Sequence, residues 1–245
     1  ILQRNRIADP ALQLAKENPK LVTAEQYRQL ERDAAAEQVR MAVLPTRSET
    51  ERFYIADQAL ADYQDLLTRW SKDPEAQADY QRARIDRLGA LLVRRNTEQL
   101  IKEYEGMEAE GYKMPDYARR WAASAYIDRR MPEKAAPILT SLYYADGKTF
   151  RNSDDLLDAD DLYYALNESE QLDKAHQFAK NYSEQTPYQV GVYGLPGKEP
   201  NDDWMEGQTL LVQSLVALND LPAAQKKLET LSSTAPANQN LRIAL

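Results

Sequence analysis

The chain has 245 residues, 43% of them hydrophobic, with 31 Lys and Arg against 39 Asp and Glu and a formal net charge of −8. That length and apolar fraction suffice for a sizeable core in one large or two ordinary domains and exclude a disordered tail. The acidic balance repels phosphate backbones, so nucleic acid is excluded as a partner class.

The longest apolar stretches, such as Leu88 to Val93, stop at arginine and are far too short to span a bilayer. With no cysteine, the chain has no disulfide, thiolate nucleophile or cysteine zinc site, which fits a reducing cytosol or a periplasm equally. Gly is scarce at 8 residues, and Ala, Leu, Glu, Gln, Asp, Arg and Tyr dominate, a helical vocabulary. The expected fold class is all-α. The chain opens at Ile1 without Met or a signal-like segment and reads as an excised part of something longer.

In chain order, PALQLAKENP from Pro10 to Pro19 reads as the last helix of a preceding repeat. A long helix follows Thr23 as N-cap and stops before Pro45, and a second opens on the Ser48 to Glu51 capping box. Helical hairpins then recur, each with a small or apolar anchor in its second helix. The hairpin from Ala83 to Met107 carries Leu88, Leu91, Leu100 and Tyr104. The next places Ala122, Ala123 and Tyr126 before the turn MPEK, then Ala135 and Leu139. Leu162, Tyr163 and Leu166 precede SEQLDK, then Ala175, Ala179 and Pro187. Leu211, Val212 and Leu215 precede NDLP, then Ala224, Leu228 and Pro236.

The anchors Leu100, Ala135, Ala175 and Ala224 are 35, 40 and 49 residues apart, where a strict tetratricopeptide (TPR) array keeps about 34. The expected architecture is therefore an irregular TPR-like α-α solenoid, stacked helical hairpins forming a superhelix. It is read as one domain over 1–245, with hairpins near 23–71, 79–110, 115–145, 154–185 and 203–233 and a long loop at 187–203. The Gly preferred at the crossing of each hairpin is replaced by Leu88, Ala123, Tyr163 and Val212, which spaces the helices further apart. Loops as long as 187–203 are usually functional or disordered; with Tyr188, Tyr193 and Trp204 in or beside it, an ordered loop is expected.

Tests for chemistry are mostly negative. The acidic run lacks the central Gly and closing Glu of a calcium loop. His176 is the only histidine, so a multi-histidine metal site is impossible, and no GxSxG elbow or GxxxxGK[ST] loop occurs. The 39 acids always supply two carboxylates at a workable separation, so glycoside chemistry gains no specific signal. No catalytic residue, metal or cofactor is expected. A repeat scaffold of this kind is read as a binding module, working through the surface lined by the first helix of each hairpin.

The stretch NSDDLLDADDLYYAL sets the candidate surface. As a helix from Asp154 to Asn167, it buries Leu156, Ala159, Leu162, Tyr163 and Leu166. Asp154, Asp158 and Asp161 fall on the opposite side, and Asp160 and Tyr164 stand on a flank that faces the groove. Ser153 or Asp154 caps it, with Asp155 in the favourable first turn. Any single aspartate also reads as a solvated acid at a helix start. A further pair, Asp202 and Asp203, precedes Trp204 at the next hairpin. Such clusters attract a polycation.

The runs AAEQVRMAVLPTRSETERF, QRARIDRLGALL, RRWAASAYIDRRMPEKAAPILTSLYY, PNDDWMEGQ, NDLPAAQ and ANQNLRIAL resemble the periplasmic TPR domain of the PgaA/HmsH-type outer-membrane exporters of poly-β-1,6-N-acetylglucosamine, a biofilm polysaccharide. The resemblance covers most of the chain from about Glu31. It implies a periplasmic location in a Gram-negative bacterium, a C-terminal outer-membrane β-barrel absent here, and a PgaB-type polysaccharide deacetylase as partner. It also implies delivery of partly deacetylated poly-N-acetylglucosamine to the pore. The exposed glucosamine amines of that polymer are the cations the acidic groove attracts, and Tyr164, Tyr188, Tyr193 and Trp204 are candidates for stacking on sugar faces. Two other readings stand beside this one: a protein-protein scaffold with no polysaccharide contact, and an enzyme using a carboxylate pair.

Overall fold

A computed structural model describes residues 8–144, 150, 159–185 and 202–234. Among these, eleven α-helices and two short 3₁₀ turns account for the regular structure, and no strand occurs. The all-α expectation holds. The chain divides into two compact units, Ile1–Arg129 and Arg130–Leu245.

The first unit holds α1 (Ala8–Glu17), α2 (Ala24–Ala42), α3 (Glu49–Trp70), α4 (Gln77–Val93), α5 (Thr97–Ala109) and α6 (Asp116–Asp128). Two capping boxes fix the starts of its long helices. Thr23 accepts from the Gln26 amide while the Gln26 side chain accepts from the Thr23 amide, and Ser48 and Glu51 repeat the arrangement. Each box satisfies two donors that a helix start otherwise leaves open.

Neighbouring helices pack in sequence, and α2, α4 and α6, the leading helices of successive hairpins, also meet along the stack. The core is built on small residues: Ala35, Ala59, Ala76, Ala83 and Ala90 surround Tyr63, Leu66 and Trp70. Small side chains at the contacts let helices approach closely. Gly89 carries this further, because a Cβ placed there would stand 2.8 Å from the Trp121 ring of α6. Gly89 thus serves the contact between one hairpin and the next, while Leu88 beside it is fully buried.

The second unit holds α7 (Pro132–Tyr143), α8 (Ala159–Glu168), α9 (Leu172–Gln185), α10 (Asp202–Ala217) and α11 (Leu221–Thr234). Here α7 packs on α8, α8 on α9, α9 on α10 and α10 on α11. Beside buried alanines such as Ala135, Ala165 and Ala179, aromatic rings fill this unit's core. Tyr143, Phe150, Phe178 and Tyr182 form a continuous cluster with ring centroids 5.0 to 6.2 Å apart, within the range of favourable aromatic pairing.

The turns make the repeat visible. Arg95, Arg130, Glu170 and Asn219 all sit in the left-handed region, with φ of 56 to 60°, just after α4, α6, α8 and α10. Their spacings of 35, 40 and 49 residues reproduce the spacings of the anchors. At three of them the C-terminal hydrogen-bond pair is complete: Asn96 N–H to Leu91 O with Arg95 N–H to Leu92 O, Gln171 to Leu166 with Glu170 to Asn167, and Asp220 to Leu215 with Asn219 to Val216. This pattern satisfies the last carbonyls of a helix and reverses the chain.

All four anchors are buried, from 0% exposed at Leu100 and Ala135 to 3% at Ala224. In α10 the register is rotated from the expectation. Val212 is buried, but Leu210 and Ser214 share the core with it, while Leu211 and Leu215 are only half-buried.

Candidate functional site

On α8 the structure places Ala159, Leu162, Tyr163 and Leu166 in the core, as the helical period requires, and adds Ala165. Asp160 and Tyr164 are both exposed, four residues apart on one side of the helix, and Asp161 is half-buried. Neighbouring chain desolvates Asp160 enough to raise its pKa although the residue is exposed. The carboxylate and the phenol ring thus offer one ligand both an acceptor and an aromatic face. Asp154, Asp155, Asp158, Tyr188 and Tyr193 lie outside the described residues, as does the expected cap at Ser153. The same holds for the side chains of Asp202 and Asp203, whose backbones lie at or near the start of α10.

Trp204 is a correction. It lies within α10, 9% exposed, and packs with Met205, Val212, Leu228 and Leu231. Its apolar area joins α10 to α11, and the position holds the hairpin together instead of offering a ring to a sugar. A tryptophan beside a loop and one in the first turn of a helix look alike in sequence, and the acids before it fit either.

His176 also finds a structural place. Its Nδ1 lies 2.9 Å from Ser214 Oγ, and Ser214 donates its own proton to the Leu211 carbonyl at 2.7 Å. The imidazole must therefore be the donor. A serine 1% exposed with its proton committed to the backbone is no nucleophile. Among the described residues, no group of three or more His, Cys, Asp or Glu is placed to hold a metal.

The first unit contains a polar assembly that the sequence did not announce. Arg28 Nε meets Asp79 Oδ2 at 2.9 Å, Arg32 reaches the other Asp79 oxygen at 3.5 Å, and Arg32 Nε lies 3.6 Å from Asp86. Asp86 in turn accepts from the Tyr117 hydroxyl at 3.0 Å. The network ties α2, α4 and α6 together along their shared face. Asp79 is only 6% exposed, and both of its carboxylate oxygens are met by arginines. Burial raises the pKa of Asp86, against the pull of Tyr117 and Arg32. Arg28 and Arg32, and Asp79 and Asp86, are spaced to share helix faces; that spacing was the available signal, but the partners are 47 to 54 residues apart.

The hairpins, with their left-handed turns and alanine-lined contacts, define a TPR-like helical-repeat protein. The TPR-like repeats of a kinesin light chain protein of Podosopora anserina superpose with a TM-score of 0.57 at 14% identity, covering 81% of this chain and 93% of that one. A point variant of the same protein gives 0.56. No family model matches the chain.

In sequence, the chain is similar to the poly-beta-1,6-N-acetyl-D-glucosamine export protein of Escherichia coli strain K12, 38% identical over 213 residues, which is 86% of this chain and 26% of that protein. The protein of the same description from Escherichia coli O157:H7 matches equally. The chain thus spans about a quarter of the length of the curated relatives it matches. The resemblance read from the quoted runs holds. No helix among the described residues is long and apolar enough to cross a membrane.

Proposed function

We propose that this chain is a non-catalytic periplasmic module of an exporter of poly-β-1,6-N-acetylglucosamine. It receives partly deacetylated, cationic polymer on an acidic surface, docks the deacetylase that modifies the polymer, and passes the polymer to an outer-membrane barrel. The observation that carries this reading is the 38% identity over 86% of the chain to a polysaccharide export protein. The fold supports it, because helical repeats serve as extended binding surfaces. On α8, the exposed Asp160 and Tyr164 place charge and ring side by side. The acids at 154, 155, 158, 161, 202 and 203, with Tyr188 and Tyr193, are proposed to extend that surface.

Each exposed ion pair contributes only about 0.2 to 1 kcal/mol, so affinity must accumulate from several along one polymer. Titration of the purified chain with β-1,6-linked glucosamine oligomers, fully acetylated and partly deacetylated, tests the reading. Preferential, salt-sensitive binding of the deacetylated series is expected. Equal binding of both, or binding of neither, contradicts it and favours a scaffold that holds the deacetylase alone.

A further inference from the structure

Between the first turn of α2 and the last turn of α3 lies an open cavity of about 570 Å³, lined in part by Val22, Thr23, Tyr27, Arg69, Trp70 and Asp73. Its volume falls in the range of small-ligand sites, about 300 to 1,000 Å³. One wall is apolar, made by Val22 and the ring of Tyr27 and backed by the buried Trp70.

The other wall is polar, and its groups divide into committed and uncommitted ones. Arg69 is committed: its guanidinium holds both oxygens of Glu31, at 2.9 and 3.2 Å, and its Nε holds Asp65 at 2.9 Å. Arg28, also in the lining, is held by Asp79 and the Glu75 carbonyl. The cavity therefore presents no free cation, which disfavours a phosphate or carboxylate ligand.

Three groups retain hydrogen-bonding capacity. Thr23 Oγ1 accepts from the Gln26 amide, leaving its proton to donate. Asp73 accepts from the Glu75 amide through Oδ1, leaving Oδ2 to accept. The Tyr27 hydroxyl makes no hydrogen bond among the described residues, and burial raises its pKa, so it remains a protonated donor.

An apolar wall facing two hydroxyls and a carboxylate oxygen matches a pyranose ring, which has one face of C–H groups and a rim of hydroxyl and N–H groups. We infer that this cavity is a subsite for one hexosamine unit of the transported polymer. The inference rests on the function proposed above and adds a second point of contact, in the first compact unit. The sugar packs its C–H face on the half-buried Tyr27 ring. Asp73 accepts from its amine or amide N–H, and Tyr27 and Thr23 donate to its oxygens.

Two substitutions probe the subsite without touching the core. Tyr27→Phe removes a hydroxyl that has no partner among the described residues, and Asp73→Asn keeps the oxygen that caps Glu75. Calorimetric titration of the 245-residue chain with acetylated and partly deacetylated β-1,6 oligomers, with amide NMR shifts followed around Val22–Arg28 and Asp73, reads both. Loss of one net hydrogen bond predicts weakening of about 2- to 12-fold for Tyr27→Phe with either oligomer series. Asp73→Asn is expected to weaken the amine-bearing series more than the acetylated one, since it removes a charge-assisted contact.

If the wild-type chain binds oligomer while both variants bind as tightly and the shifts fall elsewhere, the subsite is overturned and the export reading stands. If the wild-type chain binds neither series, polymer recognition fails as a whole and the subsite falls with it.

Discussion

At position 89 a single methyl group decides how two hairpins meet. The Trp121 ring stands 2.8 Å from where an alanine Cβ would sit, and the same ring packs edge-on against Tyr117 at 4.9 Å between centroids. Gly89→Ala forces the indole to move, at a cost of about 1 to 3 kcal/mol typical of overpacking, despite the better helix propensity of Ala. A lowered urea midpoint with unchanged slope is the expected result; an unchanged or raised midpoint would show that the ring yields freely.

Asp86 makes a second prediction at this scale. Groups facing it are Arg32 and Asp33 from α2, Tyr63 from α3, Arg82 from its own helix and Tyr117 from α6. Burial outweighs the favourable partners and raises its pKa above the ordinary 3.8. The folded state thus binds this proton more tightly than the unfolded chain does. Its stabilising share is fully present below the unfolded pKa and is lost as pH rises through the folded one. Asp86→Asn keeps an acceptor for Tyr117 and does not titrate. The stability of wild type relative to Asp86→Asn should therefore fall as pH rises from below the ordinary aspartate range to above the raised pKa, read from urea midpoints at each pH. A difference that grows with pH would mean that Arg32 and Tyr117 outweigh burial.

At the scale of the element, starts and turns carry the repeat. The Ser48 and Glu51 box opens α3, and two hydrogen bonds from Ser48 hold the Glu51 carboxyl below the usual glutamate range. Ser48→Ala should cost about 1 kcal/mol and lower the thermal midpoint at neutral pH. That loss should shrink as pH falls and Glu51 becomes protonated; a loss independent of pH would assign it to the hydroxyl alone.

These starts were readable in sequence because a capping box is local. The anchors were readable because Ala135, Ala175 and Ala224 are small residues at helical spacing. The left-handed turns were not, since Arg95, Arg130 and Glu170 are residue types that rarely adopt that conformation. The rotation of α10 was hidden for a similar reason: Ser214 is polar in type yet 1% exposed, and its hydroxyl is satisfied by the helix itself. On α8 the periodicity placed Asp160 and Tyr164 correctly outside the core. Trp204 was misjudged because two acids before a tryptophan fit a loop as well as a helix start.

At the scale of the molecule, the two units carry charge differently. In the first, arginines and acids are largely paired with one another, through contacts such as Arg28–Asp79, Arg69–Glu31, Arg84–Glu110, Arg87–Glu103 and Arg94–Asp57. Such pairs join segments distant in sequence, which is why the interhelical network was invisible to a reading of local composition. In the second unit, the exposed Asp160 lies beside Tyr164 and forms no ion pair with a described residue.

The formal net charge of −8 sets the sign of any long-range attraction. A polycation is drawn to this chain, and salt screens that attraction over a distance of about 10 Å at 0.1 M. The most direct measurement is the affinity for partly deacetylated and fully acetylated β-1,6-glucosamine oligomers of equal length, at low and at high salt. Three or four exposed contacts of about 0.5 kcal/mol each predict roughly 10- to 30-fold tighter binding of the deacetylated oligomer at low salt, falling toward parity at high salt. Equal affinities at low salt, or a preference that salt leaves unchanged, would contradict an acidic surface made to receive a cationic polymer.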